Sequence, residues 1–388
     1  MRATNDLGLY IHAPFCKHEC PYCDFYKIEL RSRPARERLD FPARLAAELK
    51  LRLQESPELA RRELSTIYIG GGTPSTLSPA GVAAFIDGVM KQFKVAGDIE
   101  VTLEANPENL TAVRAAKWRQ AGFNRLSIGV QSFDAEELKL LERLHEPALI
   151  GEAVRNARAA GFDNLSLDLM FALPNQSLET WKNNLRAAVA LDPDHISFYG
   201  LTYHENTAFE NWRKAGQLKE TDEELQAEMY LWGADCLREG GFEHYEISNF
   251  ARPGKRSRHN QRYWRRADVL GLGPGAHSNI SAARFANPDD LDAWAAALDA
   301  GRLPAVQVEE LLPAAAEEER LFTQLRRVEG LSRANDSALY QRCVDWLHAQ
   351  PYEARKLMTA DLDSARLTAE GWLVSDAIIA RLISMESR

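Results

Sequence analysis

The chain is poor in cysteine, with five in 388 residues. That is too few, and too unevenly spread, for a disulfide framework, and it fits a reducing cytoplasm. No apolar run is long enough to span a membrane, and Met1 to Asp6 leads into the first strand-like run without a signal-peptide core. Positive charge is in deficit: the net charge of −9 favours solubility and argues against a general nucleic-acid binder. Solenoid repeats and low-complexity tracts are absent. The length suits one large domain plus a smaller one.

Three of the five cysteines stand together in Cys16-Lys17-His18-Glu19-Cys20-Pro21-Tyr22-Cys23, a C-x3-C-x2-C loop after the apolar run Leu7 to Ile11. Three thiolates on one loop can grip three corners of a [4Fe–4S] cube and leave the fourth iron open, the position where a metal does chemistry. The competing reading is zinc, closed by His12 or His18. Zinc ligands usually come as two separated pairs, and here no second pair exists: Cys236 and Cys343 stand alone and read as ordinary buried residues.

Six runs have strand character: Leu7 to His12, Thr66 to Gly71, Ile99 to Glu104, Arg125 to Gln131, Asn164 to Met170 and His195 to Leu201. Helical stretches separate them, at Phe41 to Glu55, Ala80 to Phe93, Leu110 to Ala121, Ala148 to Ala160 and Leu178 to Leu191. This alternation predicts parallel β-α units and an α/β fold, a partial (β/α)6 barrel short of the eight units of a TIM barrel. Within the strands one parity is apolar and the other carries Tyr10, Tyr68, Glu104, Thr102, Ser127, Gln131, Ser166, Asp168 and Tyr199. Helices need the apolar face, so the polar face predicts a wet or ligand-filled interior; a half-exposed sheet is the alternative.

In such barrels chemistry gathers where strands end at their carboxyl side. Here those ends carry the cysteine loop, Gly70-Gly71-Gly72-Thr73, Glu104-Ala105-Asn106-Pro107-Glu108, Gly129-Val130-Gln131, the stretch from Asp168 to Pro174, and Tyr199 to Glu205. A triple glycine alone is explained by a tight turn. Six rim signals in a row point to a site.

With these residues the chain resembles the radical S-adenosylmethionine (SAM) superfamily, whose members bind SAM at the open iron and split it reductively into methionine and a 5′-deoxyadenosyl radical. The resemblance implies SAM contacts at Tyr10, Gly70, Gly71, Gly72, Thr73, Glu104, Gln131, Arg143 and Asp168. Glu104 would meet the ammonium, Arg143 the methionine carboxylate, and Gln131 and Asp168 the ribose hydroxyls. Arg143 also reads as a surface helix charge, and Arg125 as structural.

From Leu7 to about Ser278 the likeness narrows to the coproporphyrinogen III oxidase-like group. That group holds an oxygen-independent coproporphyrinogen III dehydrogenase and the heme-chaperone (HemW) family. The dehydrogenases carry a further cysteine where Phe25 stands, and an extension before the first strand; this chain also has the H-N-x-x-Y-W pattern as His259-Asn260-Gln261-Arg262-Tyr263-Trp264. The chaperone branch is therefore the expectation. It implies bound heme, with His259 as axial ligand and Asn260, Tyr263 and Trp264 around it, delivery to respiratory heme proteins, and peripheral docking at the inner membrane. A homodimer is compatible with it. Without the resemblance His259 reads as a hydrogen-bonding loop histidine. The seven Lys and Arg residues from Arg252 to Arg266 read as a solvated face, a nucleic-acid patch or a seat for heme propionates. Gly271 to Gly275 reads as a turn, not a dinucleotide site.

Two departures stand out. Phe171-Ala172-Leu173-Pro174-Asn175 replaces the group's Tyr-Gly-Leu-Pro-Gly, and Tyr26 stands where Asn is frequent. The expected division is a barrel over 1–250, a connecting segment over 251–303, and a helical, winged-helix-like domain over 304–388. In the last, helices are expected at Glu317 to Arg327 and Ser337 to His348, a hairpin over Leu362 to Val374, and a final helix over Asp376 to Ser384. Glu309, Glu310, Glu317, Glu318 and Glu319 make its leading edge acidic.

Overall fold

A computed structural model describes residues 5–281, 283–309 and 311–385. Its centre is a run of six parallel strands, β1 (Asp6–Ala13), β2 (Glu63–Gly71), β3 (Lys94–Ala105), β4 (Arg125–Gln131), β5 (Leu165–Phe171) and β6 (His195–Gly200), hydrogen-bonded in that order. Both edges are extended. Antiparallel β7 (Glu243–Glu246) and β8 (Asn249–Ala251) follow β6, with β8 next to it. On the other side β9 (Val269–Leu272) runs parallel to β1, and β10 (His277–Ile280), β11 (Ala283–Ala286) and β12 (Gln307–Glu309) continue antiparallel. The sheet is open, as the strand count required.

Helices α1 (Ala35–Glu55), α2 (Pro79–Met90), α3 (Ala112–Gln120), α4 (Ala135–Leu140), α5 (Pro147–Ala159) and α6 (Leu178–Ala190) connect the strands. Helix α1 begins before the expected Phe41, with Pro42 inside its second turn. The outer strand face packs on Leu45, Phe85, Trp118, Ile150 and Trp181 of these helices in one apolar core. The inner face is polar and enclosed, as parity required. Tyr10 lies opposite Tyr68, Tyr68 opposite Thr102, and Thr102 opposite Arg125. A second tier runs Glu104, Ser127, Ser166, His195.

Two further helices, α7 (Ala208–Lys214) and α8 (Glu223–Glu239), precede β7, and the short α9 (Arg258–Trp264) lies between β8 and β9. After α10 (Leu291–Asp299) the chain forms α11 (Pro313–Leu325), α12 (Ser337–Ala349) and a small sheet in which β15 (Ser364–Leu367) lies between β13 (Leu331–Ser332) and β14 (Met358–Ala360). One expectation is corrected here. Gly371 to Val374 is not hairpin: α13 (Ala369–Leu373) begins where the Thr368 hydroxyl accepts the Gly371 N–H at 3.1 Å, an N-cap that stops the strand. Helix α14 (Ser375–Ser384) ends the described chain. Of the acidic edge, Glu319 pairs with Arg284 and Arg266, and Glu317 with Arg342; Glu310 lies outside the described residues.

Candidate cofactor chamber

The cysteine loop is fastened to the glycine turn beside it. Gly72 N–H donates to the Ala13 carbonyl (2.9 Å), Thr73 N–H to Phe15 (2.8 Å) and Ile28 N–H to Pro14 (2.7 Å). A Cβ on Gly72 would lie 2.8 Å from the Pro14 carbonyl group, and Gly71 sits at φ 102°, so this turn needs glycine at both places. The Thr73 hydroxyl donates to Cys16 Sγ at 3.5 Å. Cys20 Sγ accepts from Arg143 Nη1 at 3.6 Å, and the other Arg143 nitrogen, Nη2, holds Asn106 Oδ1 (2.7 Å) and the Gly129 carbonyl (2.9 Å). Arg143 is thus no free surface charge. Its Nε is buried without a hydrogen-bond partner among the described residues.

The thiols of Cys16, Cys20 and Cys23 are all free. Burial pushes Cys16 up to about 11 and raises Cys23, a cost that bound metal removes by taking the thiolate directly. No three His, Cys, Asp or Glu side chains among the described residues surround a point as a single ion needs. His12 is turned away, its Nε2 2.8 Å from the Tyr26 carbonyl and its Nδ1 3.2 Å from the Tyr10 hydroxyl; His18 Nε2 pairs with Glu142 at 2.7 Å. Neither imidazole closes a zinc site. Three free thiols on one loop, with no imidazole turned toward them, suit the soft-ligand set of an iron–sulfur cluster.

Glu104 sits at the end of β3, its Oε1 accepting from the Tyr68 hydroxyl at 2.7 Å. Burial is the main force raising its carboxyl to about 7, and Asp168 adds to it. Such a carboxylate is under-compensated, and an incoming ammonium would restore the balance. Gly70 leaves room for it, since a Cβ there would meet Tyr68 and Glu104 at 2.9 and 3.0 Å. Gln131 lies at a bulge between β4 and β5 in a left-handed conformation, φ 65°. Asp168 accepts from Ser127 (2.9 Å) and Ser166 (3.1 Å). Tyr199 and Tyr263 leave 43% and 45% of their surface free, yet burial raises both phenols. Tyr199 has the inward parity of β6 and Tyr263 meets His259 from α9, so both rings belong to the polar barrel interior, the candidate chamber.

Its floor is α9. His259 is 1% exposed, with Nδ1 2.9 Å from the Thr66 hydroxyl and Nε2 3.2 Å from Tyr263; its ring lies against Tyr68 with centroids 5.1 Å apart. Burial lowers its pKa to about 3, so the imidazole is neutral. Asn260 N–H is capped by Ser257 at 3.3 Å, and the Trp264 carbonyl accepts from Gln324 of α11 at 3.0 Å. The structure brings together the cysteines, Thr73 and Arg143 at the rim and Tyr10, Glu104, Asp168, His259 and Tyr263 inside. The basic run does not act as one patch: Arg252, Lys255 and Arg256 pair with Asp192, Asp194, Glu243 and Glu329. Tyr68 and Asn106 were given a place but no role by the sequence, and Thr66 was named only as the start of a strand. Tyr68 and Asn106 were legible as inward parity and as a rim position, whereas Thr66 acquires its role only through the distant α9.

The departures have local causes. The Tyr26 hydroxyl accepts the Leu291 N–H at 2.8 Å, capping α10, and Ala172 and Asn175 both sit at positive φ, 59° and 64°, where the group has glycine.

Among known proteins, the sequence model of the radical SAM superfamily matches residues 10–188. The heme chaperone HemW of Bacillus subtilis (strain 168) is 34% identical over 378 residues, covering 96% of this chain and 98% of that protein. The heme chaperone HemW of Escherichia coli (strain K12) is 40% identical over 275 residues, 71% and 70% of the two chains. The solved coproporphyrinogen III oxidase HemN of Escherichia coli superposes with a TM-score of 0.80 over 98% of this chain and 91% of that one; at 23% identity this likeness shows the fold. The superfamily implies SAM and a [4Fe–4S] cluster, and the thiol triangle and the under-compensated carboxylate fit both. With relatives this similar over nearly its full length, the chain belongs to the HemW family of radical SAM proteins.

Proposed function

We propose that this chain is a heme chaperone of the radical SAM type, loading heme onto respiratory heme proteins from the cytoplasm or the inner-membrane face. No helix among the described residues is long and apolar enough to cross a membrane, so docking there would be peripheral. The reading is carried by one observation. Three free thiols stand on one loop, Cys16 against Thr73 and Cys20 against Arg143, in a chain with a full-length relative that is a heme chaperone. Phe25, 61% exposed where the dehydrogenases have cysteine, favours the chaperone over the decarboxylase.

Cys16, Cys20 and Cys23 would hold the cluster. When bound and reduced, it would supply an open iron for SAM's amino and carboxylate groups and pass on the electron for cleaving SAM. The chain's own residues position the co-substrate. Glu104 accepts an N–H of the amino group beside Gly70 to Gly72, and the unpartnered Arg143 Nε offers a donor to the carboxylate. Gln131 and Asp168 reach the ribose, and Tyr10 and Thr73 complete the wall. Heme is assigned to α9, with Asn260, Tyr263 and Trp264 flanking His259. Ligation would take one ring nitrogen from Thr66 or Tyr263, and burial already keeps the imidazole in its ligating, neutral form. Residues 1–250 carry the chamber, 251–303 its floor and flanking strands, and 304–388 the helical module.

Heme titration of anaerobically reconstituted protein tests this. A saturable Soret change is expected, weakened in His259→Ala, in protein that also contains iron and sulfide. No heme uptake, or turnover of coproporphyrinogen with SAM and reductant, would overturn it.

A further inference from the structure

Beneath the barrel, on the far side of α9 from the chamber, lies a second cavity of about 570 Å³ between the barrel base and the C-terminal module. Six arginines line it against three aspartates, Asp6, Asp268 and Asp336. The arginines come from three separate elements: Arg258, Arg262, Arg265 and Arg266 from α9 and its C-terminal turn, Arg284 from β11, and Arg320 from α11. Like charges from distant parts of a chain gather at a cost unless they are compensated or have a ligand to bind.

Compensation is uneven. Arg262 is fully used, buried on Asp6 and on the Asp6 and Asp268 carbonyls. Arg258, Arg266, Arg284 and Arg320 each have one or more acidic partners, Asp98, Glu319, Glu309 and Asp336 among them. Arg265 has a different environment: its Nη2 donates to Gln261 Oε1 at 2.7 Å, and no carboxylate pairs with it among the described residues. Arg320 Nε is buried there without a hydrogen-bond partner. Partly exposed pairs are weakly held, so an arriving carboxylate can exchange into them. The cavity also reaches Thr66, whose hydroxyl lies 2.9 Å from His259 Nδ1. A ligand seated here meets Thr66, one hydrogen bond from the motif histidine, from outside the chamber.

We propose that this cleft seats the paired carboxylates of a porphyrin, with Arg265 and Arg320 as the forks that receive them. The assignment rests on the heme-chaperone reading and adds to it a second, anionic contact surface separate from the SAM chamber. Planar guanidinium forks match carboxylates in a way a lysine cannot. The apolar Ala267 and Leu311 in the lining suit a ligand with an organic body.

The test is fluorescence titration of the full chain with protoporphyrin IX and with its dimethyl ester, which lacks the two charges. Arg265→Ser and Arg320→Ser are expected to weaken free-acid binding about tenfold each while leaving the ester unchanged, with Arg265→Lys in between. Free-acid binding unchanged in both serine variants would overturn the cleft and leave the heme reading standing. Binding of neither porphyrin by wild type would overturn both. Displacement of the porphyrin by pyrophosphate in preference to a dicarboxylate would mark a phosphate site and sink the proposal.

Discussion

Ala172 shows how much one backbone angle carries. At φ 59° an alanine pays a steric cost that glycine does not, and the turn still forms because Leu173 beside it is fully buried. Ala172→Gly should therefore raise stability by about 0.5–1 kcal/mol, read as a higher denaturant midpoint at constant slope. Glu104 makes a pH argument. Its folded pKa, near 7, lies above the ordinary 4.5, so the carboxylate that receives SAM's amino N–H is present above pH 7 and is lost as the pH falls through that value. SAM affinity should drop roughly tenfold per unit below pH 7, and Glu104→Gln should bind weakly and flatten the profile; calorimetry at several pH values checks it. The cysteine triplet and the rim carboxylate were legible in the sequence because both depend on local spacing and strand parity. The burial of His259 was not. Its partners, Thr66 and the Glu100 carboxylate that accepts its backbone N–H, lie far away in the chain.

At the scale of elements, alternation of polar and apolar residues disclosed the barrel and its wet interior. Strand β9 escaped notice, since a short apolar run among glycines looks like a turn, and it does end in one, with Gly273 at φ 93°. Helix α1 was legible except for its start, where a proline disguised the first turns. The glycine turn after β2 is the element on which the cysteine loop rests. Gly72→Ala places a methyl group against backbone that has no side-chain freedom to yield. The expected result is a loss of about 1–3 kcal/mol and a fall in iron retained after reconstitution, measured by melting and metal analysis of the same sample.

At the scale of the whole molecule, the C-terminal module is joined to the barrel by backbone as well as side chains. Ile247 N–H donates to the Arg326 carbonyl at 3.0 Å, Val328 N–H to Tyr245 at 3.1 Å, and Trp372 packs edge-on against His244 with centroids 4.5 Å apart. Its indole N–H donates to the Leu325 carbonyl at 2.8 Å. Trp372→Ala should cost about 3–5 kcal/mol and lower one shared calorimetric transition instead of splitting it in two.

Helix α9 has seven residues and two occupied sides: His259 and Tyr263 face the tyrosine-lined interior, Arg258 and Arg265 the arginine-lined hollow below. Two turns of helix leave no slack between those sides. A guest that tilts the rod from underneath alters the ceiling of one room and the floor of the other in a single movement. Thermodynamic reciprocity then makes each guest change the other's binding constant by the same factor.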